Sequence, residues 1–267
     1  MNEIHPTAIV SKKAELGKNI KIGPYTIIEE DVVIEDNTMI GSHCYIYSGT
    51  KIGKDNQIYS YCNLGGLPQD ISFNPKTPTK LIIGEGNIIR EYVNIHRATF
   101  VESATLIGNK NYIMGSVHIA HDCIIGNETI LTHSSIFAGH VKIGNKVFVS
   151  GLVGVHQFCR IGDFAIIGGV VKIAQDVPPF MMVDGNPAQV VGINIVGLKR
   201  ANFTEERKRN IKNAYKILYR KKLSISNALE VLKKEFTEDQ DIQLLIEFIE
   251  NSKRGIIGGV RETKMET

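Results

Sequence analysis

Four of the chain's eight histidines, His118, His121, His140 and His156, fall close enough in sequence to act together, and Asp122 directly follows His121. A neutral imidazole has two chemical uses. It can bind a metal ion such as zinc, or it can take a proton from a hydroxyl near neutral pH. A hydroxyl is a poor nucleophile until its proton is removed, and acyl transfer needs in addition a donor for the developing oxyanion. The backbone N–H groups of Ala138-Gly139-His140 are available for that task. Either use requires a scaffold that returns to the same place, because His121, His140 and His156 stand on three separate stretches of the chain.

The scaffold is written as a repeat. Every sixth residue from Ile4 reads Ile4, Val10, Leu16, Ile22, Ile28, Ile34, Ile40, Ile46, Ile52, Ile58 and Leu64. The pattern breaks, resumes one residue out of phase at Ile83, and runs through Ile89, Ile95, Val101, Ile107, Ile113, Ile119, Ile125, Leu131, Phe137, Ile143, Val149, Val155, Ile161, Ile167 and Ile173. Four residues after the aliphatic comes a small or β-branched residue, as in Ala14, Thr26, Val93, Thr99, Val117 and Val153. Glycine often follows the aliphatic, as in Gly23, Gly53 and Gly126. The expectation is a short strand and a tight corner per hexad, with the aliphatic inward and glycine giving the corner its backbone freedom. One hexad cannot bury its own side chain, so successive coils must stack. Cys44, Cys62, Cys123 and Cys159 all sit in the small slot and are expected to pack as small hydrophobes.

This pattern resembles the hexapeptide-repeat superfamily. The resemblance implies a mainly β fold, a left-handed parallel β-helix with about 18 residues per coil, although left-handed crossovers are otherwise rare. Residues one coil apart then stack in columns, and His121, His140 and His156 fall within a residue or two of one column. His118 stands three residues before it. A zinc site of the carbonic-anhydrase kind in this superfamily takes two histidines five residues apart, a spacing that His118 and His121 do not have. His5, His43, His96 and His133 fall elsewhere and are expected at the surface or in local hydrogen bonds.

The break, about residues 65–80, holds three of the chain's eight prolines and reads as a loop thrown out of the coil, a usual place for binding residues. The coil ends near Asp176-Val177-Pro178-Pro179. The β-helix is expected over 1–190, and a connector with a C-terminal helical domain over 191–267. The segment from Gly185 to Gly197 reads as a connector. Three helices follow: one from an N-cap at Thr204, one over roughly Ser226–Phe236, and one begun by a Thr237-x-x-Gln240 capping box. The last dozen residues read as loose.

Charge is nearly balanced, with 31 Lys and Arg against 28 Asp and Glu, so nothing global points to nucleic acid or a membrane surface. No apolar run approaches the ~20 residues of a membrane span, and the N-terminus lacks a secretory pattern. A cytoplasmic protein is expected. Basic residues do concentrate locally, at Lys199, Arg200, Arg207, Lys208, Arg209, Lys212, Lys216, Arg220, Lys221 and Lys222. Most such residues are simply a solvated helix face, but a patch of this kind also fits an acidic carrier protein.

Finer motifs narrow the resemblance. Ile95-His96-Arg97, His118-Ile119-Ala120-His121-Asp122-Cys123, Ala138-Gly139-His140, Val155-His156-Gln157-Phe158-Cys159, Gln175-Asp176-Val177-Pro178-Pro179 and Gly197-Leu198-Lys199-Arg200 closely resemble the UDP-N-acetylglucosamine 3-O-acyltransferase family, over essentially the whole chain. That resemblance implies transfer of a 3-hydroxyacyl group from acyl carrier protein to the sugar 3-position, the first step of lipid A synthesis, by a homotrimer with sites between subunits. It implies no cofactor and no metal. His121 becomes the general base, Asp122 its support and the Gly139 N–H the oxyanion donor. Asp70, His118 and His140, with Gln69 nearby, hold the sugar nucleotide. His156 and Gln157 lie along the cleft, and Asn194 and Arg200 contact the nucleotide. Gly169 matches the position that limits acyl length and leaves room for on the order of fourteen carbons. The chain departs from the family pattern at Ser72, where lysine is common and Lys76 is a possible substitute, at Ala201, and at Val196. A 3-amino sugar analogue, giving an amide, is an alternative acceptor. The related N-acyltransferase carries an additional N-terminal domain, whereas the repeat here begins at Ile4. A non-catalytic solenoid would not require the histidine column, the Asp70 loop and the basic helix together.

Overall fold

A computed structural model describes residues 1–260. Short strands stack into three sheets of eleven, nine and eight strands, parallel except for the last strand of the first sheet, which form the faces of a three-sided coil. The hexad aliphatics align in register: Ile22 with Ile40 and Ile58 on the first sheet, Ile28 with Ile46 and Leu64 on the second, Ile34 with Ile52 on the third. They fill the interior, with Ile46, Ile58, Leu64, Ile119 and Phe137 all 0% exposed. The four cysteines are free and buried among them. Burial raises the Cys123 thiol to about 12 and Cys159 to about 11, values of inert core thiols.

Two coils are longer than the rest. Ile58 pairs with Ile89, and Ile89 with Ile113, where neighbouring coils pair positions three hexads apart. The first coil exceeds that period by two hexads and one residue, carried by the loop between the strands Asn63–Gly66 and Lys80–Ile83. The odd residue explains the phase slip. The second coil exceeds it by one whole hexad, between Asn94–His96 and Ala104–Ile107. An insertion of one hexad leaves the period untouched and so hides inside the pattern. Two expectations fall with it. Val101 is not in the core but 66% exposed. Thr99 is not in the small slot, which Thr105 fills at 0% exposure.

The glycines following the aliphatics serve close approach, not left-handed backbone. A Cβ on Gly23 would stand 2.7 Å from the Gly41 carbonyl carbon of the next coil, and one on Gly53 2.7 Å from the Gly84 oxygen. The left-handed corner residues are mostly other types, among them Asp122 (φ 59°), His140 (φ 62°) and Phe158 (φ 66°).

After the coil, Met181–Asp184 turns back on Gln189–Ile193 as an antiparallel pair. The expected connector runs into a short helix α1, Ile195–Arg200, capped by Asn194. Then come α2 (Glu205–Tyr219), α3 (Ile225–Glu235) and α4 (Gln240–Glu250). Thr204 caps α2 as expected. The capping box at Thr237 does not form. Asp239 caps α4 instead, its Oδ1 accepting from the N–H groups of Asp241 (3.0 Å) and Ile242 (3.1 Å), since a carboxylate suits the positive helix end better than a hydroxyl. Of the segment expected to be loose, Ile256 and Ile257 are tied to the coil. Asp176, 1% exposed, accepts from the Arg160 N–H and the Ser252 hydroxyl, each at 2.8 Å, and its carbonyl accepts from the Ile257 N–H. Residues 261–267 lie outside the described residues. No described helix is long and apolar enough to cross a membrane.

Candidate active site

Both long loops leave the coil at one corner, between the second and third sheets, in consecutive coils. His121 and Asp122 occupy that corner in the next coil, Gly139 and His140 in the one after, and Gln157 and Phe158 in the third. The His121 Nδ1 lies 2.8 Å from Asp122 Oδ2. A carboxylate only accepts, so Nδ1 carries the proton and Nε2 presents a lone pair. Asp122 is itself held. Its Oδ1 accepts from the Thr99 N–H (3.1 Å), its Oδ2 from the Thr99 hydroxyl (2.7 Å), and its own N–H donates to Thr105 Oγ1 (2.8 Å). Burial raises the Asp122 carboxyl, but the hydrogen bonds from His121 and Thr99 outweigh it and hold the group below the usual carboxylate range.

Gly139 sits directly against the His121 ring: a Cβ there would meet Cε1 at 2.5 Å and Nε2 at 2.7 Å. Among the described residues no group accepts from the Gly139 N–H. His140 stands edge-on to His121 with ring centroids 5.3 Å apart and stacks on Phe158 at 4.6 Å. Its Nε2 is 3.7 Å from Asp122 Oδ2. Burial depresses the basicity of His96, His118 and His140, which favours neutral imidazoles near pH 7.

Asp70 lies in the first loop and feels the charges of His121 and Asp122. Ser72, the residue at the position of the common lysine, closes the Asp70 turn: its N–H (2.8 Å) and hydroxyl (2.7 Å) both donate to Asp70 Oδ1 and hold that carboxyl below its ordinary range. Gln69 and Lys76 are exposed in the same loop. His118 lies on the second sheet beside the corner. His156 and Gln157 are exposed two coils from His121, roughly 10 Å along the axis.

The remaining expected residues are elsewhere on the single chain. Asn194 is 6% exposed; its amide oxygen accepts from the Gly197 N–H and its NH2 donates to the Phe164 carbonyl. With Arg200 and Val196 it borders a pocket over Phe148 and Ile166 on the first sheet. Gly169 is exposed at the corner between the first and second sheets.

Sequence reasoning missed His96, Thr99 and Phe100. His96 is not at the surface. It is 6% exposed, its Nδ1 lies 2.6 Å from the Leu67 carbonyl that opens the first loop, and its ring is 5.1 Å from His118. Phe100 also approaches His140, with ring centroids 6.1 Å apart and the rings tilted. A reading at the plain three-hexad period misplaces all three, because the hidden insertion makes that coil one hexad longer. His121, Asp122 and His140 bring ligand-type atoms within 4.8 Å of one another. The Asp122 oxygens of that group already accept hydrogen bonds from Thr99 and His121.

A corner imidazole backed by a carboxylate on a hexapeptide coil defines the class, a hexapeptide-repeat acyltransferase. Residues 13–48 and 31–66 match the model of the bacterial transferase hexapeptide, and residues 176–257 that of UDP-N-acetylglucosamine O-acyltransferase, domain 2. An acyl-(acyl-carrier-protein)–UDP-N-acetylglucosamine O-acyltransferase of Thermodesulfovibrio yellowstonii is 48% identical over 96% of this chain and 99% of its own length. The equivalent of Halorhodospira halophila is 44% identical over 96% of this chain and 100% of its own. The solved UDP-N-acetylglucosamine acyltransferase of Bacteroides fragilis superposes with a TM-score of 0.93 at 38% identity, covering 95% of this chain and 99% of that one. The chain belongs to the acyl-(acyl-carrier-protein)–UDP-N-acetylglucosamine O-acyltransferase family, and its coil is the left-handed parallel β-helix.

Proposed function

We propose that the chain transfers an (R)-3-hydroxyacyl group from acyl carrier protein to the 3-position of UDP-N-acetylglucosamine, the first step of lipid A synthesis, with His121 as general base. The observation that carries this reading is the His121–Asp122 hydrogen bond, which leaves Nε2 as the proton acceptor at the Gly139 corner. Nε2 takes the sugar 3-hydroxyl proton as the oxygen attacks the thioester carbonyl. The oxyanion forms against the Gly139 N–H. Collapse of the tetrahedral intermediate breaks the carbon–sulfur bond, and the imidazolium returns its proton to the leaving thiolate.

Asp70, His118, His140 and Gln69 hold the sugar nucleotide, and His156 and Gln157 line the cleft. Asn194 and Arg200 serve the nucleotide from an adjacent copy. Their place on a different face from His121 supports a homotrimer with sites between subunits. At Gly169 a Cβ would meet nothing nearer than the Gly151 oxygen at 3.6 Å, which supports room for a long acyl chain. The acidic carrier docks on the exposed bases of α2 and its approach, where Lys199, Arg209, Lys212 and Lys216 have no ion-pair partner among the described residues.

The test is product mass after incubation with 3-hydroxymyristoyl acyl carrier protein and UDP-N-acetylglucosamine or its 3-amino analogue, with His121→Ala alongside. One hydroxyacyl group gained, and lost in the variant, is the expected result. The faster acceptor separates ester from amide formation. No transfer to either acceptor refutes the proposal.

A further inference from the structure

We infer that Thr99, on the hidden one-hexad insertion, is a positioning residue for the transfer: it pins the Asp122 carboxylate and thereby fixes the tautomer and orientation of His121. This rests on the reading of His121 as the base.

One residue supplies a donor to each carboxylate oxygen, the Thr99 N–H to Oδ1 at 3.1 Å and its hydroxyl to Oδ2 at 2.7 Å. The insertion has its own turn closure, Ser103 Oγ donating to the Phe100 carbonyl at 2.6 Å and accepting from the Phe100 N–H at 3.1 Å, so the Thr99 hydroxyl is not needed for that. Asp122 stands between two imidazoles, His121 Nδ1 at 2.8 Å and His140 Nε2 at 3.7 Å. Without Thr99 nothing but His121 itself would stop the carboxylate turning toward His140. The insertion is in turn fixed to the base of the first loop: the Ala98 N–H donates to Lys80 O, the Lys80 N–H to Ser103 O and the Glu102 N–H to Pro78 O. Thr99 therefore couples the loop bearing Asp70 to the alignment of the base.

Besides Asp122, the charged or titratable groups facing His121 are His140 in the next coil, Asp70 in the first loop and His96 in the coil before. Thr99→Val keeps shape and backbone N–H and deletes only the hydroxyl donor. The carboxylate then disperses less of its charge and stabilises the His121 imidazolium more. The expected result is a kcat lower on the order of tenfold, the loss of one hydrogen bond to a charged group, with KM for the sugar nucleotide little changed. The acid limb of the kcat–pH profile moves to higher pH. Thr99→Ser restores both. Thr99→Ala is the second variant should valine fold poorly by circular dichroism.

The inference is overturned if kcat and the acid limb both stay at their parental values. It is equally overturned if the loss follows a drop in melting temperature, leaves the limb unmoved and is not rescued by serine. His121→Ala separates the two readings. Activity retained there removes the base assignment itself, whereas an inert Thr99→Val beside a dead His121→Ala removes only the role of Thr99.

Discussion

Gly139→Ala puts a methyl group where the His121 ring already stands. The new carbon would meet Cε1 at 2.5 Å and Nε2 at 2.7 Å, well inside any real carbon contact. The backbone cannot yield cheaply, because the Phe158 N–H donates to the Gly139 carbonyl and the His140 N–H to the His121 carbonyl. The partly exposed ring yields instead, by roughly 1 Å, and a misplacement of that size costs on the order of 100-fold in rate. The Gly139 N–H survives in the variant, so the loss reports the base and not the oxyanion donor. The assay is steady-state acyl transfer alongside thermal melting, with Gly258→Ala as a control whose Cβ would meet nothing within 4 Å. A Gly139→Ala protein that melts like its parent and keeps kcat within about threefold would refute the placement of His121 as the base.

Phe137→Ala removes a ring that is 0% exposed in the coil beside the site and should cost about 3–5 kcal/mol by urea unfolding. Below about pH 6.5 stability should fall, because burial holds His96, His118 and His140 below their ordinary basicity. Their contribution is complete above the unfolded value and is lost as pH drops through the folded ones. A melting temperature flat from pH 7.5 to 5 would contradict this. Lys212→Glu with Lys216→Glu should raise KM for the carrier protein on the order of tenfold, with kcat little changed and a weaker dependence on salt. Deleting 98–103 restores a plain hexad from Ile95 to Ile107 and should leave a folded coil by circular dichroism, with transfer reduced at least as far as in Thr99→Val. An unfolded deletion variant would show that the insertion supports the scaffold as well as the site.

The coil was legible because its core asks for one thing repeatedly, an aliphatic facing inward, and Phe137 is tolerated only because it too is fully buried. The His121–Asp122–Gly139–His140 corner was legible for the same reason, since the stacking of three-hexad coils converts sequence spacing directly into contact. His96 and Thr99 were not. The insertion that follows His96 and carries Thr99 is as long as the repeat, so the aliphatic series passes through Val101 as though it were core. The reason for the glycines was hidden too. Gly23 and Gly53 look like turn residues in one dimension, but what excludes a side chain is the neighbouring coil. At the helix, Thr237 and Asp239 competed for one cap, and the charged acceptor prevailed.

Both loops enlarge the same corner, and the ladder explains why that is cheap. Leu64 still pairs with Ile95, and Ile95 with Ile119, across the two lengthened coils. The core is unbroken, so the cost is loop closure, which grows only by about 0.6 kcal/mol per doubling of length. The loops then do what a regular corner cannot. A bare corner histidine would sit in water with its ordinary basicity and free rotation. Leu67 receives the His96 ring, Thr99 holds the carboxylate behind His121, and Phe100 with Phe158 encloses His140. Stacking brings the imidazoles together, and the overhanging loops bury His96 and hold the carboxylate that orients His121, leaving Nε2 as the atom that can accept a proton.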